Sequence, residues 1–84
     1  MEETMNKVLA VIPAFNEELN IEMVVKELTM CCPQIDYVVV NDGSTDRTVR
    51  ICRDLGFNLI DLPVNLGLAG CFQTGMKYAY QKGY

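Results

Sequence analysis

The sequence predicts an α/β fold, a three-layer, doubly wound, mostly parallel sheet with elements in the order βαβαβα. Three observations predict it. Short apolar runs suited to buried strands recur at Lys7–Ile12, Tyr37–Val40 and Asn58–Ile60. Stretches with apolar residues at helical spacing follow each run, and every run gives way to Pro, Asn, Asp, Gly or Ser, the residues that turn a chain. Right-handed crossovers then lay sequential strands side by side as one small sheet.

The elements follow in order. Lys7–Ile12 is apolar throughout after its lysine, as a strand buried on both faces must be, and Pro13, which cannot donate to a ladder, is expected to close it. Asn16 is expected to cap the first helix, with Glu17 and Glu18 in its first turn and Ile21, Val24, Val25 and Leu28 facing inward before Pro33. After the second strand, Asn41-Asp42-Gly43-Ser44 reads as a turn. Ser44 or Thr45 is expected to cap a second helix that turns Thr48, Ile51, Cys52 and Leu55 inward and stops at Gly56. The third strand closes at Pro63. A third helix over about 67–82 is expected to face the sheet with Leu68, Cys71, Phe72, Gly75 and Ala79 and to stop at Gly83.

Composition narrows the function classes. Eighty-four residues make at most one domain, and half of them are hydrophobic, a large apolar share for so small a unit to cover. A net charge of −4 with no basic run argues against nucleic-acid binding. No apolar stretch reaches the ~18 residues of a membrane span, and Met1-Glu2-Glu3-Thr4 lacks a signal peptide's positive start, so the piece reads as cytoplasmic. Cys31, Cys32, Cys52 and Cys71 have no zinc spacing and no histidine beside them; they read as reduced and mostly buried.

In doubly wound sheets the ligand crevice lies beyond the carboxyl ends of the strands, where three polar segments converge: Pro13–Glu17, Asn41–Asp46 and Pro63–Gly67. Each alone is ordinary turn chemistry. Together, at one end of the sheet and beside helix N-termini that attract phosphate, they favour a nucleotide pocket. Other signatures fail. Met76 stands where a phosphate loop beginning at Gly70 needs lysine, and Gly67, Gly70 and Gly75 do not spell a dinucleotide fingerprint. Arg47 and Arg53 spoil the calcium loop begun by Asp42, Ser44 and Asp46, and without histidine the usual nucleophilic triads have no base.

Val11-Ile12-Pro13-Ala14-Phe15-Asn16-Glu17-Glu18, Asn41-Asp42-Gly43-Ser44-Thr45-Asp46-Arg47-Thr48, and Asn65-Leu66-Gly67 with Gln73-Thr74-Gly75 form an ordered set. This set resembles family 2 glycosyltransferases of the dolichol-phosphate mannosyltransferase and polysaccharide-synthase type, over residues 7–84. The resemblance implies the first, Rossmann-like half of a GT-A fold, and a parent enzyme that transfers a sugar from a UDP- or GDP-linked donor to an acceptor. It implies that Pro13, Ala14, Phe15 and Glu17 line base and ribose, and that Asp42 accepts a hydrogen bond from the base. Ser44 would mainly cap its helix, while Asn65 and Gly67 would sit near base and diphosphate. Phe15 replaces a frequent tyrosine, and Leu68 and Ala69 stand where many members carry Lys or Arg.

The family's Asp-x-Asp motif, which would hold Mg²⁺ or Mn²⁺, is absent from residues 1–84. Residues 1–84 are therefore expected to be the truncated N-terminal, nucleotide-binding part of one domain, with no cofactor or catalytic residue of its own and inactive alone. Membrane attachment of the parent stays open. The alternative is a non-catalytic nucleotide-binding or dimerising module. In either case the first strand, interior in the family fold, would become an open edge and join two copies as a homodimer.

Overall fold

The computed structural model describes residues 8–84. Lys7, expected to begin the first strand, and the Met1–Thr4 start lie outside the described residues. Element order is β1 (Leu9–Ala14), α1 (Ile21–Cys31), β2 (Asp36–Asp42), α2 (Thr48–Asp54), β3 (Leu59–Leu62) and α3 (Gly67–Gln81). The strands form one sheet in the order β1-β2-β3. Both pairings are parallel, from Leu9↔Asp36 to Ala14↔Asn41 and from Val39↔Leu59 to Asp42↔Leu62. The expected α/β alternation and parallel sheet are found.

β2 is the centre of the molecule because it has a strand on each side and helices on both faces. Val38, Val39 and Val40 are fully buried, each contributing about 1.5–3 kcal/mol of transfer free energy. Their alternation separates two apolar layers. Val39 packs with Ala14, Ile21, Val25 and Cys52 beneath α1 and α2, whereas Val38 and Val40 pack with Cys71, Leu9, Val11 and Tyr78 beneath α3. Three layers follow from strand periodicity alone.

Pro13 does not close β1. It pairs with Val40 inside the strand, which runs on to Ala14. The reason lies in which way its backbone points. The Val8 carbonyl accepts from the Asp36 N–H at 3.1 Å, so with a period of two, residues 10, 12 and 14 turn their backbone groups towards β2. Leu9, Val11 and Pro13 turn theirs to the open edge, where a missing N–H breaks no ladder bond.

The helix starts also differ from expectation. α1 begins four residues later than the expected cap at Asn16, with Asn20 at its start and Glu22 as its first-turn acid. Thr48 opens α2, and neither Ser44 nor Thr45 caps it. The Asn16 and Ser44 side chains are instead engaged across the two loops described below, where the Thr45 N–H joins them. Gly56 and Gly83 stand in left-handed conformation, with φ of 71° and 84°, just past α2 and α3 as expected. Among the cysteines, Cys52 and Cys71 are buried, Cys32 is half-buried and Cys31 is exposed; all four are free.

α3 meets the sheet through Cys71 and Gly75 with Tyr78, while the expected inward residues Leu68 and Phe72 are exposed. Close approach selects this face. A Cβ added at Gly75 would lie 2.6 Å from both Cγ atoms of Val11, and a β-branched side chain in a strand has little rotamer freedom to yield. The overpacking cost of about 1–3 kcal/mol competes with the ~1 kcal/mol that alanine gains over glycine in a helix. Gly75→Ala is therefore expected to destabilise the fold by about 1 kcal/mol in chemical denaturation. In the Val11→Ala background the same substitution becomes neutral or stabilising; an unchanged cost there would show that the Val11 contact is not the cause.

Candidate functional site

Two hydrogen-bonded seams join the three loops at the carboxyl ends of the strands. Asn16 is the hub of the first. It adopts a φ of 53°, a left-handed conformation that asparagine tolerates better than most residues. Its N–H donates to Ser44 Oγ at 2.9 Å, and its Oδ1 accepts from the N–H groups of Thr45 at 2.8 Å and Asp46 at 3.3 Å. The next two residues continue the seam. Glu17 N–H donates to Thr48 Oγ1 at 2.8 Å, Glu18 N–H to Asp46 Oδ2 at 3.2 Å, and Arg47 N–H to Glu18 Oε1 at 3.0 Å. The side chains of Asn16, Glu18 and Ser44 are thus spent between loops instead of inside helix first turns.

Asp42 makes the second seam. Its carboxylate is buried, 5% exposed, at the end of β2. Oδ1 accepts from the Leu66 N–H at 2.5 Å and Oδ2 from the Gly67 N–H at 2.9 Å, while Asn65 Nδ2 donates to the Asp42 carbonyl at 3.1 Å. A buried carboxylate at the opening of a helix satisfies otherwise orphaned donors and complements the helix dipole. Gly43 permits the approach: its φ is 74°, and a Cβ there would meet the Asn65 N at 2.7 Å and the Val64 carbonyl carbon at 2.9 Å. Beside this seam Asn41, also buried, donates from Nδ2 to Asp61 at 2.8 Å, and Asp61 accepts from Arg53 at 3.0 Å.

Between the first loop and the start of α3 lies a concave site of about 260 Å³, lined by Pro13, Ala14, Phe15, Glu17, Asp42, Leu68 and Cys71. Five of the residues singled out from the sequence, Pro13, Ala14, Phe15, Glu17 and Asp42, meet in this pocket. The other three do not line it. Ser44 is held by Asn16, Asn65 holds the Asp42 carbonyl, and the Gly67 N–H points at Asp42. Leu68 and Cys71 are pocket residues that sequence reasoning gave to the core. The usable signal was their i, i+3 spacing at the start of a helix whose N-terminus faces the crevice. Burial first, then the neighbouring Asp42 carboxylate, push the Cys71 thiol above its ordinary 9.0, so it is a weak nucleophile.

The pocket is not built for a metal ion. Among the described residues no group of three or more His, Cys, Asp or Glu is gathered to hold one, and both Asp42 oxygens already face backbone donors. Mg²⁺ or Mn²⁺ therefore does not fit these residues. The site can present apolar faces, an aromatic ring and hydrogen-bond acceptors to a ligand.

Residues 9–84 match the profile of Glycosyl transferase family 2. The chain belongs to that family. Similar proteins include an uncharacterized protein of Methanocaldococcus jannaschii, 40% identical over 77 residues, which cover 84% of this chain and 33% of that protein. Polyprenol monophosphomannose synthase of Mycolicibacterium smegmatis is 27% identical over 84 residues, covering 93% of this chain and 32% of the synthase. The 4,4'-diaponeurosporenoate glycosyltransferase of Staphylococcus aureus is 38% identical over 52 residues, covering 62% of this chain and 14% of that enzyme. This family 2 chain spans a third or less of the length of these curated relatives. Its βαβαβα architecture is the Rossmann-like α/β half expected of the family. Among the described residues no helix is long and apolar enough to cross a membrane.

The first seam has a pH signature. Partial burial pushes the Asp46 carboxyl up, but hydrogen bonds from the Thr48 hydroxyl and N–H and from the Glu18 N–H outweigh it, so it sits below the ordinary 3.8. A carboxyl depressed in the folded state stabilises that state above its unfolded value and loses the contribution as pH falls through the folded value. Acid titration of thermal stability is thus expected to cost the native chain more than Asp46→Asn below pH 3.8. Parallel acid curves for the two proteins would rule this out.

Proposed function

We propose that this chain is the nucleotide-recognising part of a transferase that moves a sugar from a UDP- or GDP-linked donor to an acceptor. The reading rests on family membership and on one observation, the convergence of Pro13, Ala14, Phe15, Glu17 and Asp42 on one pocket at the carboxyl ends of parallel strands. Phe15 is half exposed at the pocket mouth and offers a ring face on which a base can stack. Glu17, also exposed, offers acceptors to ribose hydroxyls. Asp42 lies at the pocket, and its carboxylate keeps acceptor capacity for a base N–H beyond its contacts with the Leu66 and Gly67 N–H groups and the Cys71 thiol. Ser44, Asn65 and Gly67 act from behind, holding the loops that carry the lining residues. The Mg²⁺ or Mn²⁺ implied for the full-length enzyme belongs, in this reading, to residues outside this set. The isolated chain binds a nucleotide without transferring sugar.

Calorimetric titration with UDP and with GDP is expected to give saturable binding of at least one of them. Phe15→Ala weakens it about 5- to 100-fold, the worth of one stacked base, with an unchanged unfolding temperature. Absence of binding by both nucleotides to the folded chain would sink the reading. Sugar transfer by the isolated chain would refute the claim of inactivity.

Among the described residues no strand pairs with the outer edge of β1, which supports a second element of the proposal, a homodimer. Leu9 and Val11 turn N–H and C=O groups outward, and only Pro13 lacks a donor, so a two-fold-related copy can pair antiparallel along Leu9–Val11. Light scattering at tens of micromolar is expected to give the mass of two chains, and Val11→Pro, which removes a central edge donor, returns it to one. A monomeric native chain would contradict the pairing.

A further inference from the structure

A surface helix normally turns its apolar residues one way only, towards the core. α1 carries them on two sides. Ile21 and Val25 are buried against the sheet, whereas Met23 and Met30 stand on the opposite side with Leu19, just ahead of the helix; Leu19 is 89% and Met30 80% exposed. These three line a groove of about 370 Å³ bordered by Glu22, Lys26 and Glu27. α3 shows the same division. Cys71 and Gly75 meet the sheet, while Phe72, Met76 and Tyr80, spaced four residues apart, are exposed, Met76 to 70% and Tyr80 to 87%. Contiguous exposed apolar ridges of this kind mark interaction surfaces.

Charge decides what can cover them. From Glu17 to Cys31 the chain carries four glutamates and one lysine, and that lysine, Lys26, is already bonded to Glu22 at 2.7 Å. From Gly67 to Tyr84 it carries Lys77 and Lys82 and no acidic side chain. Two copies of the α1 ridge laid together would oppose like charges, and so would two copies of the α3 ridge. One of each brings acid against base. The two ridges cannot meet within one molecule, because α1 covers the layer around Val39 and α3 the layer around Val38 and Val40, on opposite faces of the sheet. Each ridge also presents unbranched methionine, which adapts to an irregular partner surface.

We infer that the α1 ridge of one molecule docks on the α3 ridge of a second copy, Leu19, Met23 and Met30 against Phe72, Met76 and Tyr80, with the acidic border of the first beside Lys77 and Lys82 of the second. The contact is heterologous. A pair joined this way still has one unused ridge of each kind, so the contact repeats and the assembly stays open. It uses neither the β1 edge nor the pocket, and it is independent of the nucleotide reading. Three apolar residues a side make a small interface, with half-association on the order of hundreds of micromolar, above the concentration at which edge pairing is expected.

The experiment is light scattering of the 84-residue chain between about 0.05 and 1 mM. The mean mass is expected to climb past two chains without a plateau, and to climb less in about 500 mM salt than in about 50 mM. A mass that stays constant over this range, or growth that holds or rises with salt, would overturn the inference. Met23→Gln and Met76→Gln each replace an exposed methionine by an uncharged helix former, and each is expected to move the growth to about tenfold higher concentration with an unchanged circular dichroism spectrum. Mixed in equal amounts, the two variants are expected to reach a mass above that of either alone, since each retains the ridge that the other has lost. A ridge that meets its own copy gives a different result: one substitution is silent and the mixture never exceeds the silent variant. That outcome, or growth that survives both substitutions, overturns the pairing of α1 with α3.

Discussion

The buried carboxylate of Asp42 is the contact on which the site depends. It stands at the end of β2, the strand with a neighbour on each side and helices on both faces, and it grips the opening of α3 through two backbone N–H groups. Hydrogen bonds to a charged group contribute about 1.5–3 kcal/mol each, more than a short, exposed Val64–Leu66 connection can offer from its own side chains. The helix therefore begins where the carboxylate is, and the positions of Leu68 and Cys71 follow from the helix geometry. Gly43 makes the arrangement sterically possible, since any Cβ at that point would strike the backbone of residues 64 and 65.

The Asn16 seam acts on the other wall. Phe15 and Glu17 flank a residue whose amide and side chain are both committed to the β2–α2 loop. The same loop is tied to β3–α3 through Asp42 and Asn65. The middle loop thus couples two walls that have no direct bond to each other, and a pocket whose walls are set before the ligand arrives loses less entropy on binding.

The sheet was legible because strands covered on both faces favour short apolar runs, and Lys7–Ile12, Tyr37–Val40 and the short run at Asn58–Ile60 supply them beside turn residues. Helix starts were less so. Asn16 and Ser44 are good caps by residue type, yet their side chains bond across loops separated by about thirty residues in sequence, and no local pattern records such a choice. Pro13 was misplaced for a similar reason. Whether a proline ends a strand depends on which side its nitrogen faces, and that needs the pairing partner. Five of the eight site residues gather in the pocket; Ser44, Asn65 and Gly67 belong to the same motifs but serve as its braces.

By itself the sequence determined the α/β class, the parallel order of elements, the end of the sheet at which the pocket lies and the family. These properties reside in periodicity and in motif spacing along the chain. Tertiary structure alone decided that Asp42 seals the start of α3, that Gly75 rather than Leu68 meets the sheet, and that Leu68 is left free to wall a pocket. Those outcomes turn on distances of a few ångströms between segments remote in sequence, where one Cβ against Val11 or one carboxylate before two N–H groups settles the packing.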